Sequence, residues 1–290
     1  MLEFYHLRSF VAVAQTGNLT QAAKRLYTTP PAISAHIKAL EEELSTSLFI
    51  RSSKGMSLTD KGQLLLKKAQ ITLDSALDLV NLAANNQHEI IGTFQLGINL
   101  TAKQIRLAEL VNNLQENCPG ICLDIHHQST GKTINEIREH QLDGGYIFGD
   151  IPDDFIGVPV MEQQITTVAP LSFDCSKILT KADLSAHQWI KMGDYCPFDD
   201  LLQRKLGNNI PSVLKTSDDG TRLELVRNDI GLSFLEIEEA LLAKENKQIQ
   251  IISKLDFSTT LHFVIANNRA NEPVISTLMQ EIRILWHLEL

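Results

Sequence analysis

Between residues 28 and 51 the chain gathers short hydroxyl and basic side chains: Thr28, Thr29, Ser34, His36, Lys38 and Arg51, with Pro30 and Pro31 among them. Hydroxyls and cations donate to phosphate oxygens and base edges, and a proline ring can press on a thymine methyl group. The chemistry this set suits is recognition of a duplex. No reaction site competes with it. The sequence contains no P-loop, G-x-G-x-x-G, H-E-x-x-H or G-x-S-x-G motif. The adjacent His126 and His127 fall in a strand pattern that sends them to opposite faces. Asp194 and the pair Asp218 and Asp219 could act as carboxylates, but acidic loops are mostly solvated surface. Cys118, Cys122, Cys175 and Cys196 lack C-x-x-C spacing and read as reduced structural thiols, with a redox pair of Cys175 and Cys196 as the alternative. No catalytic residue, metal set or cofactor is expected.

The elements that must hold those side chains are short helices. Asn18 can cap a first helix, with Gln21 three positions on and Ala22, Ala23 and Leu26 on its narrow apolar face. Tyr27, Thr28 and Thr29 make a turn. Thr29 can cap a second helix that takes Pro30 and Pro31 in its first turn, where a missing N–H costs nothing. Ile33, Ile37, Leu40 and Leu44 then form an inward stripe. That leaves Ser34, Ala35, His36 and Lys38 outward. Upstream, Leu7, Phe10, Val11 and Ala14 mark a third helix, with Gly17 as its stop. This is helix-turn-helix grammar, in which the second helix of the pair lies in the major groove.

The continuation sharpens the reading. A-A-x-x-L (22–26), P-A-I-S (31–34), L-E-E-E-L (40–44), L-F-x-R (48–51), a Lys54-Gly55 turn and L-T-x-x-G (58–62) follow in order. This set resembles the N-terminal domain of LysR-type transcriptional regulators, strongly over residues 1–62 and loosely afterwards. The resemblance implies a winged helix-turn-helix (1–60), a long linker helix (61–89) and a two-lobed α/β effector domain like periplasmic binding proteins (90–290). The fold class expected is therefore a multidomain α+β chain. It also implies partners: double-stranded DNA, a small-molecule effector, a second or further copy of the chain as homodimer or homotetramer, and RNA polymerase if the protein activates. One departure matters. The family often has Gln where Pro30 stands, and proline cannot make the paired bonds by which Gln reads adenine.

Charge agrees once it is divided. The chain carries a net −9, but residues 1–68 hold nine Lys/Arg against five Asp/Glu, and the remainder 17 against 30. A basic head on an acidic body is compatible with duplex binding, since phosphate affinity depends on local positive charge. No apolar run is long enough to span a membrane, and Glu3, His6 and Arg8 interrupt the first apolar segment, unlike a secretory signal. A cytoplasmic protein is expected.

From Asp60 to about Glu89 the pattern is one long helix. Leu66, Ala69, Leu73, Ala76, Val80 and Ala83 make a heptad seam, read as a dimerisation surface that would present two recognition helices together. After His88 strands and helices alternate, as in parallel α/β sheets. Lobe I is placed at 93–162 plus 266–290 and lobe II at 163–265. Ligands in such folds bind beyond the carboxyl ends of strands. The segments there supply Thr101, Ala102, Ser129, Thr130, Phe148, Tyr195, Phe198 and Ser217 as candidate effector contacts. Hydroxyls at helix N-termini suit a small anion, while Tyr195 and Phe198 suggest an apolar or aromatic part. The alternatives are an architectural DNA-binding protein without an effector, or an enzyme built on the α/β body.

Overall fold

Capping decides where the first helices begin and stop. α1 (Phe4–Thr16) buries Leu7, Phe10 and Val13 and ends at Gly17, whose φ of +63° only glycine adopts without strain. α2 (Leu19–Arg25) starts at Asn18, whose Oδ1 accepts the N–H groups of Thr20 and Gln21 at 2.8 and 3.1 Å. α3 (Pro30–Glu43) starts at Thr29, whose hydroxyl accepts from Ala32 N at 3.4 Å. Ile33, Ile37 and Leu40 are buried, so the sequence stripe faces the core as expected. β1 (Phe49–Ser52) and β2 (Gly55–Leu58) pair antiparallel as the wing. The computed structural model describes residues 2–52, 55–83, 87–177, 180–193, 196–216 and 218–288, so Lys54 of the wing turn lies outside the described residues.

α4 runs Asp60–Leu82, not to Glu89. Near its end Asn81 is buried and its amide clasps Ile91, donating to Ile91 O at 2.8 Å and accepting from Ile91 N at 3.0 Å. The seam divides as well. Ala69 is buried in the head's own core, with Leu66 and Leu73 packed against it, because α1 needs cover on that side. Ala76 is half-buried, while Leu79, Val80, Leu82 and Ala83 are exposed. The first half of the expected dimer seam is therefore an intramolecular contact. These elements form one compact unit, Met1–Gly92.

The second unit, Thr93–Leu290, is α/β. Its order is β3 (Gly92–Ile98), α5 (Leu107–Asn117), β4 (Ile121–His127), α6 (Thr130–Arg138), β5 (Gly144–Phe148) and β6 (Phe155–Ala169). Then follow α7 (Lys181–Leu184), β7 (Trp189–Lys191), α8 (Pro197–Leu206), β8 (Ser212–Lys215), α9 (Asp219–Arg227), β9 (Ser233–Glu236), α10 (Ile237–Glu245), β10 (Gln250–Ala266) and α11 (Pro273–Leu285). One six-stranded sheet runs β4-β3-β5-β10-β6-β9 and a smaller one joins β7 to β8. β3 and β5 are parallel, as the strand-helix alternation predicts. β10, however, runs antiparallel to both β5 and β6, so the sheet is mixed rather than purely parallel.

β6 and β10 are the two crossover strands and are far longer than their apolar cores suggest. They pair from Phe155–Ala266 at one end to Ala169–Gln250 at the other, with shifts of register at Ile252/Phe257 and Leu261/His262. β5 attaches along Leu261–Ile265 and β9 along Ile165–Val168. The lobe boundary drawn at 265/266 is corrected by this pairing: residues 261–265 belong to the ladder of β5, not to the second lobe. Main-chain hydrogen bonds hold both strands as continuous ribbons. No described helix is long and apolar enough to cross a membrane.

Candidate functional site

On the head, Thr28, Thr29, Pro31 and Lys38 are exposed, with Pro30 and Ser34 half-buried, around the N-terminal turns of α3. Arg51 reaches back from the wing to donate to Ser34 Oγ at 3.1 Å, joining wing and helix on one surface. Lys38 pairs with Glu42 at 3.4 Å, both highly exposed. Three features hold the wing in place. Glu41 accepts from the N–H groups of Leu48 and Phe49 at 2.7 and 3.2 Å. Gly17 O accepts from Met56 N at 2.8 Å. Gly62 lies where a Cβ would stand 2.2 Å from Leu48 O, which excludes every other residue there.

His36 departs from the expected set. It turns away from the groove-facing surface to α1, with Nδ1 2.8 Å from Ser9 Oγ and its ring 4.9 Å from Tyr5 and 5.3 Å from His6. Burial there, together with the charge of His6, holds its pKa below the usual imidazole value. Tyr27 was not singled out as a contact, yet it is 98% exposed and its φ is +53°. A bulky residue in that left-handed position closes α2, with Thr28 N bonded to Ala23 O at 2.9 Å. The signal available in the sequence was a non-glycine residue at a helix stop.

In the second unit a cleft opens beside the crossover strands, with a cavity volume of ≈ 50 Å³. Of the candidate effector contacts, Ser129, Thr130, Phe148 and Phe198 line it. Ser129 caps α6, accepting from Lys132 N at 3.5 Å. Thr130 Oγ1 accepts from Phe148 N at 3.1 Å and from Asn99 Nδ2 at 3.2 Å. Phe148 and Phe198 meet at 5.1 Å between ring centroids.

Thr101 and Ala102 are corrected. Both are exposed and neither lines the cleft, because the Thr101 hydroxyl donates to Gln104 Oε1 at 2.8 Å within its own loop. Their neighbours Asn99 and Leu100 line it instead. Tyr195 and Ser217 lie outside the described residues.

Several lining residues were missed. Gln163 comes from the stretch of β6 before Ile165 that is not read as a strand, Ile165 opens the part that is, and Arg222 stands one turn into α9. Phe234, Leu235 and Glu236 were missed too, whereas Met192 and Cys196 belong to the 192–198 segment that the strand-end rule places at the cleft. Burial pushes the Cys196 thiol up to about 11, so it stands as a neutral thiol. Cys175 is elsewhere, against Gln250 at 3.3 Å, and its pKa is also raised by burial. In both environments burial outweighs the groups that would favour a thiolate.

Two family descriptions match the chain. Residues 4–63 match the bacterial regulatory helix-turn-helix proteins of the lysR family, and residues 87–285 match the LysR substrate binding domain. The HTH-type transcriptional regulator CysL of Bacillus subtilis is 26% identical over 94% of this chain and 95% of its own. Among solved structures, a full-length OxyR variant from Pseudomonas aeruginosa superposes with a TM-score of 0.67 at 22% identity, covering 98% of this chain and 95% of that one. Full-length CbnR complexed with its target DNA has a TM-score of 0.60 at 18% identity, covering 98% and 99%. At these identities the structures speak for the fold alone.

Proposed function

Because this chain belongs to the LysR family of bacterial regulators, we propose that two copies of its recognition helix read a pseudo-palindromic operator and that a small molecule in the cleft sets the strength of that reading. The observation that carries the first half is the surface where Arg51 of β1 bonds Ser34 of α3, ringed by exposed Thr28, Thr29 and Pro31. A helix N-terminus flanked by a basic wing offers donors to phosphate on both sides of a groove. Pairing falls to the exposed Leu79, Val80 and Leu82 at the far end of α4, where a second copy would cover apolar surface that this unit leaves open.

The cleft supports the second half. A cavity lined by buried polar groups suits a sensor better than a static DNA binder. A ligand changes operator affinity only by binding one arrangement of the subunits more tightly than another.

The test begins with duplexes that the full-length chain selects from a randomised pool. Ser34→Arg should abolish binding to them by filling the groove-facing surface. Equal affinity of wild type and Ser34→Arg would remove the head from the account. Ser129→Phe, which fills the cleft, should keep operator binding and lose the response of transcription to ligand.

A further inference from the structure

The first turn of α3 has no main-chain donor to offer. The first three residues of a helix ordinarily leave their N–H groups open, ready for an anion. Here Pro30 and Pro31 hold the first two positions and have no N–H. The third, Ala32 N, already donates to Thr29 Oγ1 at 3.4 Å. Donors to phosphate on this surface are therefore side-chain groups on its flanks, Thr28 and Arg51 among them. The tip between those flanks is a pair of proline rings.

Side chains of the next turn do not replace the missing donors. Pro31 and Ala35 are exposed, with Pro30 and Ser34 half-buried beside them. The Ser34 hydroxyl accepts from Arg51 Nη2 at 3.1 Å. His36 turns to α1, 2.8 Å from Ser9 Oγ, and Ile33 and Ile37 are buried. The first cation of the helix, Lys38, comes a turn later and lies 3.4 Å from Glu42. No Arg, Lys, Asn or Gln occurs from residue 30 to 37. Nothing in that stretch can make the paired hydrogen bonds that single out guanine or adenine. What it presents is carbon: two pyrrolidine rings and the Ala35 methyl. Pro31 and Ala35 are four positions apart, so they stand one above the other on a single face.

The major-groove edges of the four bases carry one apolar group, the 5-methyl of thymine. Burying that methyl against carbon is favourable, whereas burying a polar base edge there leaves its donors and acceptors unpaired. Resting on the reading of α3 as the recognition helix, we infer that its first two turns read the operator through thymine methyl groups. Pro30, Pro31 and Ala35 are the residues that recognise them. Each half-site then has thymine where α3 enters the groove. The feature recognised is the methyl and not the polar edge of the base.

The experiment uses the full-length chain and a duplex that it selects from a randomised pool. Three replacements are made at the thymines that selection holds constant. Deoxyuridine removes only the methyl. Cytosine opposite guanine changes the polar edge and also lacks the methyl, and 5-methylcytosine opposite guanine changes the edge but keeps it. Deoxyuridine should weaken binding about four-fold for each methyl lost, and 5-methylcytosine should bind tighter than cytosine by a similar factor. These changes are in the DNA, so folding of the protein does not enter. Pro31→Ala should bring the ratio of thymine to deoxyuridine affinity towards one, which a merely damaged fold would not do. If deoxyuridine binds as tightly as thymine, or 5-methylcytosine no better than cytosine, methyl reading is overturned. A ratio unchanged in Pro31→Ala would move the reading to other residues and overturn the assignment to the proline tip. The recognition helix itself is decided separately, by Ser34→Arg. A chain that selects no duplex at all would end both readings.

Discussion

At the scale of single residues, the head mixes groups that serve its surface with groups that serve its packing. Arg51 is a surface group. Its removal should weaken binding by a similar factor on every duplex and lower the slope of log affinity against log salt by about one, as loss of one phosphate contact requires. A titration at three salt concentrations reads this directly. His36 is a packing group, held against Ser9, Tyr5 and His6. Its pKa is lowered in the fold, so the unfolded chain binds more protons as pH falls below the ordinary imidazole value near 6.5. Its contribution is complete above that pH and declines below it, until the lowered folded pKa is passed. The melting temperature of the head should therefore drop between pH 7.5 and 5.5, and His36→Gln should reduce the drop. Tyr27 carries a backbone cost that asparagine would lessen. Tyr27→Asn should stabilise the head by up to about 1 kcal/mol while weakening duplex binding, because a fully exposed ring beside the recognition helix would be lost. A variant that is both more stable and equally tight would make Tyr27 a passive turn residue.

Helices and strands decide what those residues can reach. α4 has two functions along one apolar stripe, since Leu66, Ala69 and Leu73 close the head while Leu79, Val80 and Leu82 remain exposed. Substitutions at the two ends should therefore fail in different ways. Leu73→Glu buries a charge against the head's core and should lower its melting temperature. Leu79→Glu with Leu82→Glu should leave that temperature unchanged and shift sedimentation to a smaller species. If the second pair leaves the assembly intact, self-association resides elsewhere. In the α/β unit the crossover strands act similarly, because alternation along β6 sends Gln163 and Ile165 to the cleft and Glu162 to the other face. One ribbon therefore lines the cleft and also joins the parts of the sheet on either side.

For the molecule as a whole, function and stability pull against each other at the cleft. Gln163 leaves a buried carbonyl unpaired when nothing is bound. Replacing it with Leu, close in size and apolar, removes that group, and such changes are often neutral or stabilising, within about 1–3 kcal/mol. The expected result is a ligand-free protein that melts no lower than wild type but no longer responds to its effector. A marked fall in melting temperature would mean that Gln163 serves the fold rather than the ligand.

Much of this was legible in the linear chain. The head's caps, stripe and stops are local, depending on neighbours three or four positions apart, and Asn18, Thr29 and the Ile33–Leu40 stripe fall where spacing alone puts them. Ser129, Thr130, Phe148 and Phe198 were also reachable, because the carboxyl ends of strands are where such sheets bind ligands. Long-range contacts were not. His36 reads as outward until α1 packs beside it, the seam of α4 reads as uniform until half of it covers α1, and β10 shows only its apolar end until pairing with β6 extends it. Arg222 and Gln163 lie about sixty residues apart and share a cleft only because the crossover strands bring β6 and α9 together. Short-range hydrogen bonding and periodicity are written in neighbouring residues, whereas the closing of a cavity depends on which distant faces meet.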